Sequence, residues 1–235
     1  MIALITPTGG RPKQIELCTK FMLNQDYAGK VLWVLVDDVV PTSIKNIPLI
    51  FKSNWNIQKV YPTPKWKVGG NTQARNLLEG INVVNRYEDI TAVFIIEDDD
   101  YYSPQYLRLM NERLKGYDVV GQINTVYYNP IYRGWMRNGN DKHASLFQVA
   151  FTPEVLGIFQ MACKTPRAFI DMHFFRLVKT RKVNLFNGKD LAVGIKGLPG
   201  RSGIGMGHRA EIRMTPDPEF VKLKELIGDD YMYYL

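Results

Sequence analysis

The chain has 235 residues, enough for one large domain with a sizeable core, and its composition of 46% hydrophobic and 23% charged residues excludes wholesale disorder. Its two cysteines, Cys18 and Cys163, stand far apart, which excludes a disulfide framework and a structural zinc site and favours a reducing cytoplasm. The net charge of +7 is uneven, because residues 131–215 hold 14 Lys and Arg against 5 Asp and Glu, whereas the remainder has a net charge of −2.

The first 120 residues alternate between strand-like and helix-like segments. Short apolar runs end in polar or turn-forming residues, and the segments between them carry apolar residues at helical spacing. This alternation predicts an α/β fold with a mostly parallel sheet and helices on both faces. The predicted strands are 2–6, 31–36, 57–61 and 92–96, and the predicted helices are 13–24, 72–84, with Thr72 as N-cap, and 104–115.

No apolar run approaches the ~20 residues that cross a bilayer, and the N-terminus lacks the features of a signal peptide. A soluble, cytoplasmic protein is therefore predicted. No internal repeat or low-complexity tract is present.

Polar clusters follow three of the predicted strands. Thr6 with Arg11 follows the first strand, Asp37-Asp38 follows the second, and an acidic run follows the strand 92–96. In parallel sheets, ligands bind beyond the carboxyl ends of the strands. We therefore expect these clusters to meet at one edge and form a site.

The acidic run is Glu97-Asp98-Asp99-Asp100. Four consecutive carboxylates repel one another, and a cation is an effective way to hold them together. Ligation by oxygen alone suits Mg²⁺ or Mn²⁺, which keep open positions for phosphate oxygens. The alternative is a solvated acidic turn that caps the following helix.

Taken together, these motifs resemble the family-2-like GT-A glycosyltransferases over roughly residues 1–120. The resemblance implies a Rossmann-like, mostly parallel mixed sheet flanked by helices. It also implies a nucleotide-sugar-binding half, 1–120, and an acceptor-binding and catalytic half, 121–235, within one domain. The matching segments are Thr6-Pro7-Thr8, Leu23-Asn24-Gln25-Asp26-Tyr27, Asp37-Asp38, Ala74-Arg75-Asn76, and the "DXD" region from Glu97 to Pro104.

The same resemblance assigns roles to individual residues. It implies that Asp99 is the main metal ligand, with Glu97 or Asp98 touching the metal-bound water or the ribose. Asp37-Asp38 could instead be a strand-ending turn, and Arg75 a surface ion-pair partner. The residues that would bind the nucleotide sugar are Thr6, Pro7, Thr8, Arg11, Asp38, Arg75 and Asp98.

Beyond residue 120 the match is thinner. Asp171-Met172-His173-Phe174-Phe175-Arg176 is similar to the segment in which inverting members carry their catalytic base, which implies that Asp171 is the base. Ile170 departs from the pattern, because many members have an acid or a glycine there. His173 could orient Asp171 or cap a helix.

A glycine-rich segment runs from Gly194 to Arg209 and does not match a dinucleotide-binding or Walker loop. Its Lys196, Arg201 and Arg209 suit a segment that closes over a diphosphate. Since some GT-A enzymes supply a third metal ligand from such a loop, His208 is the candidate. The alternative is a surface loop with an incidental histidine.

The predicted function is metal-dependent transfer, with Mn²⁺ or Mg²⁺, of a sugar from a nucleoside-diphosphate sugar such as a UDP-sugar to an acceptor hydroxyl, with inversion. The basic half favours double-stranded DNA as acceptor, at a hydroxymethylated pyrimidine as in some phage glycosyltransferases, which would place the protein in the host cytoplasm. Alternatives are a saccharide or protein acceptor, a sugar nucleotidyltransferase, and a non-catalytic nucleic-acid-binding or calcium-binding module. Aromatic residues that could stack a displaced base, or that belong instead to the core, are Tyr127, Tyr128, Tyr132, Trp135, Phe147 and Phe151.

Overall fold

A computed structural model describes residues 1–48, 52–165, 169–201, 203, 207–208 and 214–235. Within these ranges the chain forms a central sheet with helices on both faces and a second, smaller sheet beside it. The strands are β1 (Ile2–Thr8), β2 (Val31–Asp37), β3 (Trp55–Val60), β4 (Ala92–Ile95), β5 (Tyr101–Tyr102), β6 (Val119–Gln122), β7 (Val126–Asn129), β8 (Gly134–Arg137), β9 (Val149–Phe151), β10 (Val183–Phe186), β11 (Ala192–Ile195) and β12 (Thr215–Pro216). The helices are α1 (Pro12–Leu23), α2 (Gln73–Val84), α3 (Tyr106–Leu114), α4 (Leu156–Lys164), α5 (Ile170–Leu177) and α6 (Val221–Ile227), with short 3₁₀ segments at Leu146–Gln148, Pro153–Val155 and Gly228–Tyr234.

The central sheet has the strand order β10-β6-β9-β4-β1-β2-β3. All neighbours in it are parallel except β9, which runs antiparallel between β4 and β6. The smaller sheet has the order β12-β8-β7-β11-β5 and reaches the acidic run through β5. The carboxyl ends of β1, β2 and β4 therefore lie side by side at one edge.

Successive side chains of the central strands lie on opposite faces of the sheet, and both faces are buried. Leu4 packs with Phe21 of α1 on one face, whereas Ile5 packs with Leu77 of α2 on the other. Because both faces are covered, the strands read as continuous apolar runs rather than as alternating ones. This packing anchors the strand ends that carry the polar clusters.

The predicted elements of the first 120 residues are present with small shifts at their ends, and the predicted class of a mostly parallel α/β sheet is confirmed. One shift matters for the site: β1 runs to Thr8, two residues beyond the predicted end. Thr72 holds the N-cap position of α2, but its hydroxyl makes no capping bond and instead donates to Asp38. Among the residues that the structure describes, no helix is both long and apolar enough to cross a membrane.

Helix α2 approaches β1 closely at Gly80. A Cβ atom added there would lie 2.4 Å from Cγ2 of Ile5, in a fully buried contact. Gly80→Ala is therefore expected to destabilise the protein by about 1–3 kcal/mol, because overpacking outweighs the gain in helix propensity. Urea unfolding measures the difference. The exposed Asn82→Ala on the same helix is the control, and a Gly80→Ala protein as stable as the wild type would contradict the close packing.

Candidate active site

The acidic run lies immediately after β4 and is held in the protein rather than in bulk water. Asp98, Asp99 and Asp100 are buried, and Glu97 is half-buried. One carboxylate oxygen from each of Glu97, Asp99 and Asp100 lies within 4.8 Å of the others. These three residues are called the acidic triad below. The prediction named Glu97 and Asp99 as ligands together with His208, and it did not name Asp100.

A lysine ammonium lies within the acidic triad. Nζ of Lys196, which directly follows β11, is 2.6 Å from Asp100 Oδ1, 3.2 Å from Asp99 Oδ1 and 3.8 Å from Glu97 Oε2. The side chain is buried, and three carboxylates raise the pKa of the ammonium although burial opposes its charge. Lys196 is therefore a permanent cation of this cluster.

Asp98 turns away from the triad toward the β1–α1 connection. Its carboxylate accepts hydrogen bonds from Thr8 Oγ1 at 2.6 Å and from Nη1 of Arg11 at 2.7 Å. The same Arg11 nitrogen lies 3.3 Å from Asp99 Oδ2. Arg11 thus joins the end of the first strand to the end of the fourth, which is the convergence that the sequence predicts.

The four acids differ in how readily they ionise. Burial raises the pKa of Glu97, Asp98 and Asp100 above the usual carboxyl range, even though cations oppose that shift. Burial also acts on Asp99, but Lys196 and Arg11 outweigh it and lower the pKa of Asp99 to about 2. Asp99 is therefore ionised throughout the physiological range.

His208 approaches the triad from the glycine-rich segment. Its Nε2 is 3.8 Å from Asp99 Oδ2, which is too long for a hydrogen bond. Burial and the positive charge of Lys196 lower the pKa of the ring to about 4, so the imidazole is neutral at pH 7. A neutral imidazole can act as a metal ligand, as the resemblance implies.

The chemistry of this donor set fits a divalent cation. The triad offers oxygen ligands, which suit Mg²⁺ or Mn²⁺. Asp100 Oδ2 is buried and has no hydrogen-bond partner among the described residues. With all acids ionised, the four carboxylates of residues 97–100 exceed the two cations Arg11 and Lys196 by two negative charges, which a divalent ion would balance.

A second charged group lies at the end of β2. Asp38 is fully buried and accepts hydrogen bonds from Nη2 of Arg75 at 2.8 Å, from Nη1 of Arg201 at 3.1 Å and from the Thr72 hydroxyl. The guanidinium of Arg201 also lies 4.7 Å from the ring centre of Trp66. The structure therefore brings Asp38, Arg75 and Arg201 together, as the predicted donor site requires.

Asp37 has a different role from its neighbour. Its carboxylate accepts hydrogen bonds from the backbone N–H groups of Val39 and Ser43 and from the Thr42 hydroxyl. Asp37 thus holds the turn after β2. The strand-ending-turn alternative applies to Asp37, whereas Asp38 faces the arginines.

The glycine-rich segment packs on the β1–α1 connection. Nε of Arg11 donates to the carbonyl of Arg201 at 2.7 Å, and Nε2 of Gln14 donates to the carbonyl of Pro199 at 2.9 Å. Gly200 has a φ of +125°, and a Cβ on it would lie 2.9 Å from the carbonyl oxygen of Gly10. Glycine therefore permits the close approach that carries Arg201 to Asp38. Arg209 lies outside the described residues.

One open cleft of about 820 Å³ connects these groups with Asp171. Asp171 begins α5, and its Oδ1 accepts a hydrogen bond from the backbone N–H of Met172 at 2.8 Å. Burial raises the pKa of Asp171. Asp171 lines the same cleft as Glu97 and Asp99.

The structure places most of the predicted site residues around this cleft, but Thr6, Asp38 and Arg75 are not among the residues that line it. Because β1 extends to Thr8, Thr6 lies inside the sheet, fully buried, and its Oγ1 accepts a hydrogen bond from Trp33 Nε1 at 2.9 Å. The prediction that Thr6 lines the nucleotide is therefore corrected. His173 Nε2 lies 2.9 Å from the Thr165 hydroxyl, and among the described residues Nδ1 of His173 has no hydrogen-bond partner. The predicted residues that line the cleft are Pro7, Thr8, Arg11, Glu97, Asp98, Asp99, Asp171, Arg201 and His208.

Several cleft residues were not predicted. Gln73, at the start of α2, donates to Glu97 Oε1 at 2.5 Å, and Trp66 forms one wall. Residues of the 138–147 region, including His143 and Ser145, form the opposite side. Trp66, His143 and Ser145 stand in segments without motif or regular periodicity, so the sequence carried no signal for them. Gln73 lies in a predicted helix beside the Ala74-Arg75-Asn76 motif, but helical periodicity does not report its contact with Glu97.

The fold is that of the GT-A glycosyltransferases, as predicted. No protein-family model matches the sequence, and no curated protein sequence matches it. Among solved structures, S. aureus TarS 1-349 in complex with UDP is similar, with a TM-score of 0.60 and 12% identity, covering 83% of this chain and 61% of that one. The complex of TarS 1-349 with UDP-GlcNAc gives a TM-score of 0.59 and 12% identity, covering 88% of this chain and 61% of that one. The chain thus spans about three fifths of TarS 1-349, and at this identity the likeness establishes the fold alone.

Proposed function

We propose that the protein is a glycosyltransferase that moves a sugar from a nucleoside-diphosphate sugar, with UDP as nucleotide, to an acceptor hydroxyl. The observation that carries this proposal is the acidic triad at the carboxyl edge of a GT-A sheet, in the same cleft as Arg11, Lys196 and Arg201. The similar TarS structures are complexes with UDP and with UDP-GlcNAc, which supports the same donor class here.

The donor would lie along the carboxyl ends of β1, β2 and β4. Its nucleoside would occupy the side of the cleft formed by Trp66, where an indole face can recognise a base. Asp38 is fully buried behind Arg75 and Arg201, so its carboxylate would reach the ribose only if these arginines moved. Its diphosphate would lie toward Arg11 and Arg201, whose guanidinium groups bind phosphate oxygens in a bidentate manner. Arg201 would exchange part of its bonding with Asp38 for the phosphate.

A divalent ion, Mn²⁺ or Mg²⁺, would be held by Asp99 and Glu97, with His208 as third ligand from the glycine-rich segment. Such an ion stabilises the negative charge that builds on the diphosphate as the sugar leaves. Arg11 would hold Asp98 and Asp99 in place through its bonds to both.

Asp171 would act as the base on the acceptor side. A carboxylate oxygen of Asp171 accepts the proton of the acceptor hydroxyl while the acceptor oxygen bonds to the anomeric carbon. The bond from that carbon to the diphosphate oxygen breaks, and the nucleoside diphosphate leaves with the bonding electron pair. Because attack and departure occur on opposite faces of the sugar, the anomeric configuration inverts.

The acceptor that we propose is a hydroxymethylated pyrimidine of DNA. The net charge of +9 in residues 131–215 supports a polyanionic acceptor. Phe169 and Met172 flank Asp171 in the cleft and are 53% and 39% exposed, which provides an apolar rim for a flat base. Of the aromatic residues predicted to stack a base, Tyr128 and Phe151 are fully buried in the core, so stacking there is corrected. Tyr127 and Phe147 are buried but line the cleft, Trp135 is half-buried against the core, and Tyr132 is exposed.

A nucleotide panel tests donor binding. At 100 times its Kd, UDP in the presence of Mn²⁺ is expected to raise Tm by about 5–10 °C, because ligand binding to the native state adds about 2.7 kcal/mol to a domain of this size. ADP and GDP serve as controls for the base. A thermal shift without discrimination among nucleotides, and without any effect of Mn²⁺, would contradict the proposed donor.

Release of UDP from UDP-sugars then tests turnover and acceptor. Hydroxymethylated DNA should accelerate release over plain DNA, whereas acceleration by oligosaccharides or proteins instead would assign the acceptor to those classes. Synthesis of a nucleotide sugar from a nucleoside triphosphate would favour a nucleotidyltransferase. Salt-sensitive DNA binding or Ca²⁺ binding without donor consumption would favour a non-catalytic module.

A further inference from the structure

Lys196 occupies the centre of the cluster that would hold the metal ion. Its ammonium is within 3.8 Å of a carboxylate oxygen from each member of the triad, and 2.6 Å from Asp100. A lysine at this position competes with a divalent ion for the same oxygens. None of the motifs that carry the family resemblance includes this residue.

The backbone around Lys196 holds the ammonium in place. The Lys196 N–H donates to the carbonyl of Tyr128 at 2.8 Å, and the N–H of Ile195 donates to Asp100 Oδ1 at 3.1 Å. Gly207, with a φ of +83°, passes so close that a Cβ on it would lie 3.0 Å from Lys196 Cγ. The backbone of Lys196 is thus held by β7 and its stem packs against Gly207, so the ammonium is not free to leave the cluster.

We propose that Lys196 is a resident cation that makes metal binding depend on the donor. The ion alone meets four carboxylates whose charge Lys196 and Arg11 offset by half, and it must displace the ammonium from the oxygens of the triad, so it binds weakly. A nucleoside diphosphate brings further negative charge and phosphate oxygens, which would add ligands to those that Glu97 and Asp99 offer. Asp100 stays with Lys196. This inference rests on the proposed function, because it takes the donor to be a nucleoside diphosphate.

Two lysine variants and a control separate this role from general charge effects. Lys196→Met removes the ammonium and keeps the length of the stem, and Lys196→Gln keeps a donor for Asp100 without the charge. Lys189→Met is the control, since Lys189 is exposed in the turn before β11 and its removal lowers the net charge equally. Mn²⁺ binding is measured by electron paramagnetic resonance with and without UDP, and the Mn²⁺–UDP complex is subtracted.

In the wild type, UDP is expected to tighten Mn²⁺ binding at least tenfold. Without UDP, Lys196→Met and Lys196→Gln are expected to bind Mn²⁺ at least tenfold more tightly than the wild type, and the effect of UDP should shrink. Lys189→Met should match the wild type. Equal or weaker Mn²⁺ binding by the Lys196 variants in the absence of UDP would overturn the inference.

Circular dichroism shows whether each variant is folded. If Lys196→Met does not fold, Mn²⁺ binding by Lys196→Gln tests the inference. If neither folds, the wild type decides: Mn²⁺ binding that is equally tight with and without UDP overturns the inference, and tightening by UDP supports it. Failure of UDP to bind with or without Mn²⁺ overturns both this inference and the proposed function. If UDP binds in the presence of Mn²⁺ but the Lys196 variants bind Mn²⁺ as the wild type does, only this inference is overturned.

Discussion

Asp99→Asn is expected to lower the rate of UDP-sugar consumption by about 10³-fold or more. Asp99 is the one acid of the run whose pKa is lowered, to about 2, and it faces Lys196, Arg11 and His208 at once. An amide at this position removes the ionised ligand and weakens the electrostatic stabilisation of the leaving diphosphate. Steady-state release of UDP, with and without Mn²⁺ and EDTA, measures the loss.

The control for this variant is Asp89→Asn. Asp89 is exposed just before β4, at the end of the strand opposite the acidic run, and it carries the same formal charge. It should keep wild-type turnover. Full activity of Asp99→Asn, or activity that EDTA leaves unchanged, would show that Asp99 is not the principal metal ligand.

Asp171→Asn is expected to lower kcat by about 10²–10⁴-fold and to leave the affinity for UDP unchanged. General-base catalysis contributes a factor of this size, and Asp171 lies in the cleft at the start of α5, outside the acidic triad. Steady-state transfer at saturating donor and acceptor measures kcat, and calorimetry measures UDP binding. An equal loss of kcat and of UDP affinity would assign Asp171 a structural role. Asp229 is an exposed acid near the C-terminus, so Asp229→Asn is the control for the loss of charge.

The same variant is expected to change the pH profile. Burial raises the pKa of Asp171, and only the ionised carboxylate can accept the acceptor proton. In the wild type, kcat should therefore rise as pH increases through this raised pKa and level off above it. The kcat of Asp171→Asn should not show this rise with pH. A wild-type profile with no rise above the ordinary range of an aspartate would contradict the assignment.

The fold was predictable because its elements carry regular patterns. The strands 31–36 and 92–96 are buried on both faces and read as unbroken apolar runs, and α1 and α2 show one apolar face. The convergence of Arg11 with the acidic run follows from parallel pairing, which places the carboxyl ends of β1 and β4 at one edge.

Other features of the site depend on contacts that no local pattern encodes. The end of β1 could not be placed to within two residues, which moved Thr6 into the sheet and left Thr8 at its edge. Lys196 was predicted only as a cation of the glycine-rich segment. Its position within the triad follows from the pairing of β11 with β5 and β7, a long-range arrangement that helical and strand periodicity do not report.

The distance along the chain between Lys196 and Asp99, 97 residues, bears on how the protein is made. During translation the acidic run leaves the ribosome long before Lys196 does. Of its two cationic partners, Arg11 and Lys196, only Arg11 is present during that interval. Mutual repulsion among the four acids opposes their burial during that interval. This edge of the nascent sheet is therefore expected to stay hydrated and resist early aggregation. Its carboxylates are expected to become buried only when the last fifth of the polypeptide, which includes Lys196, has been synthesised.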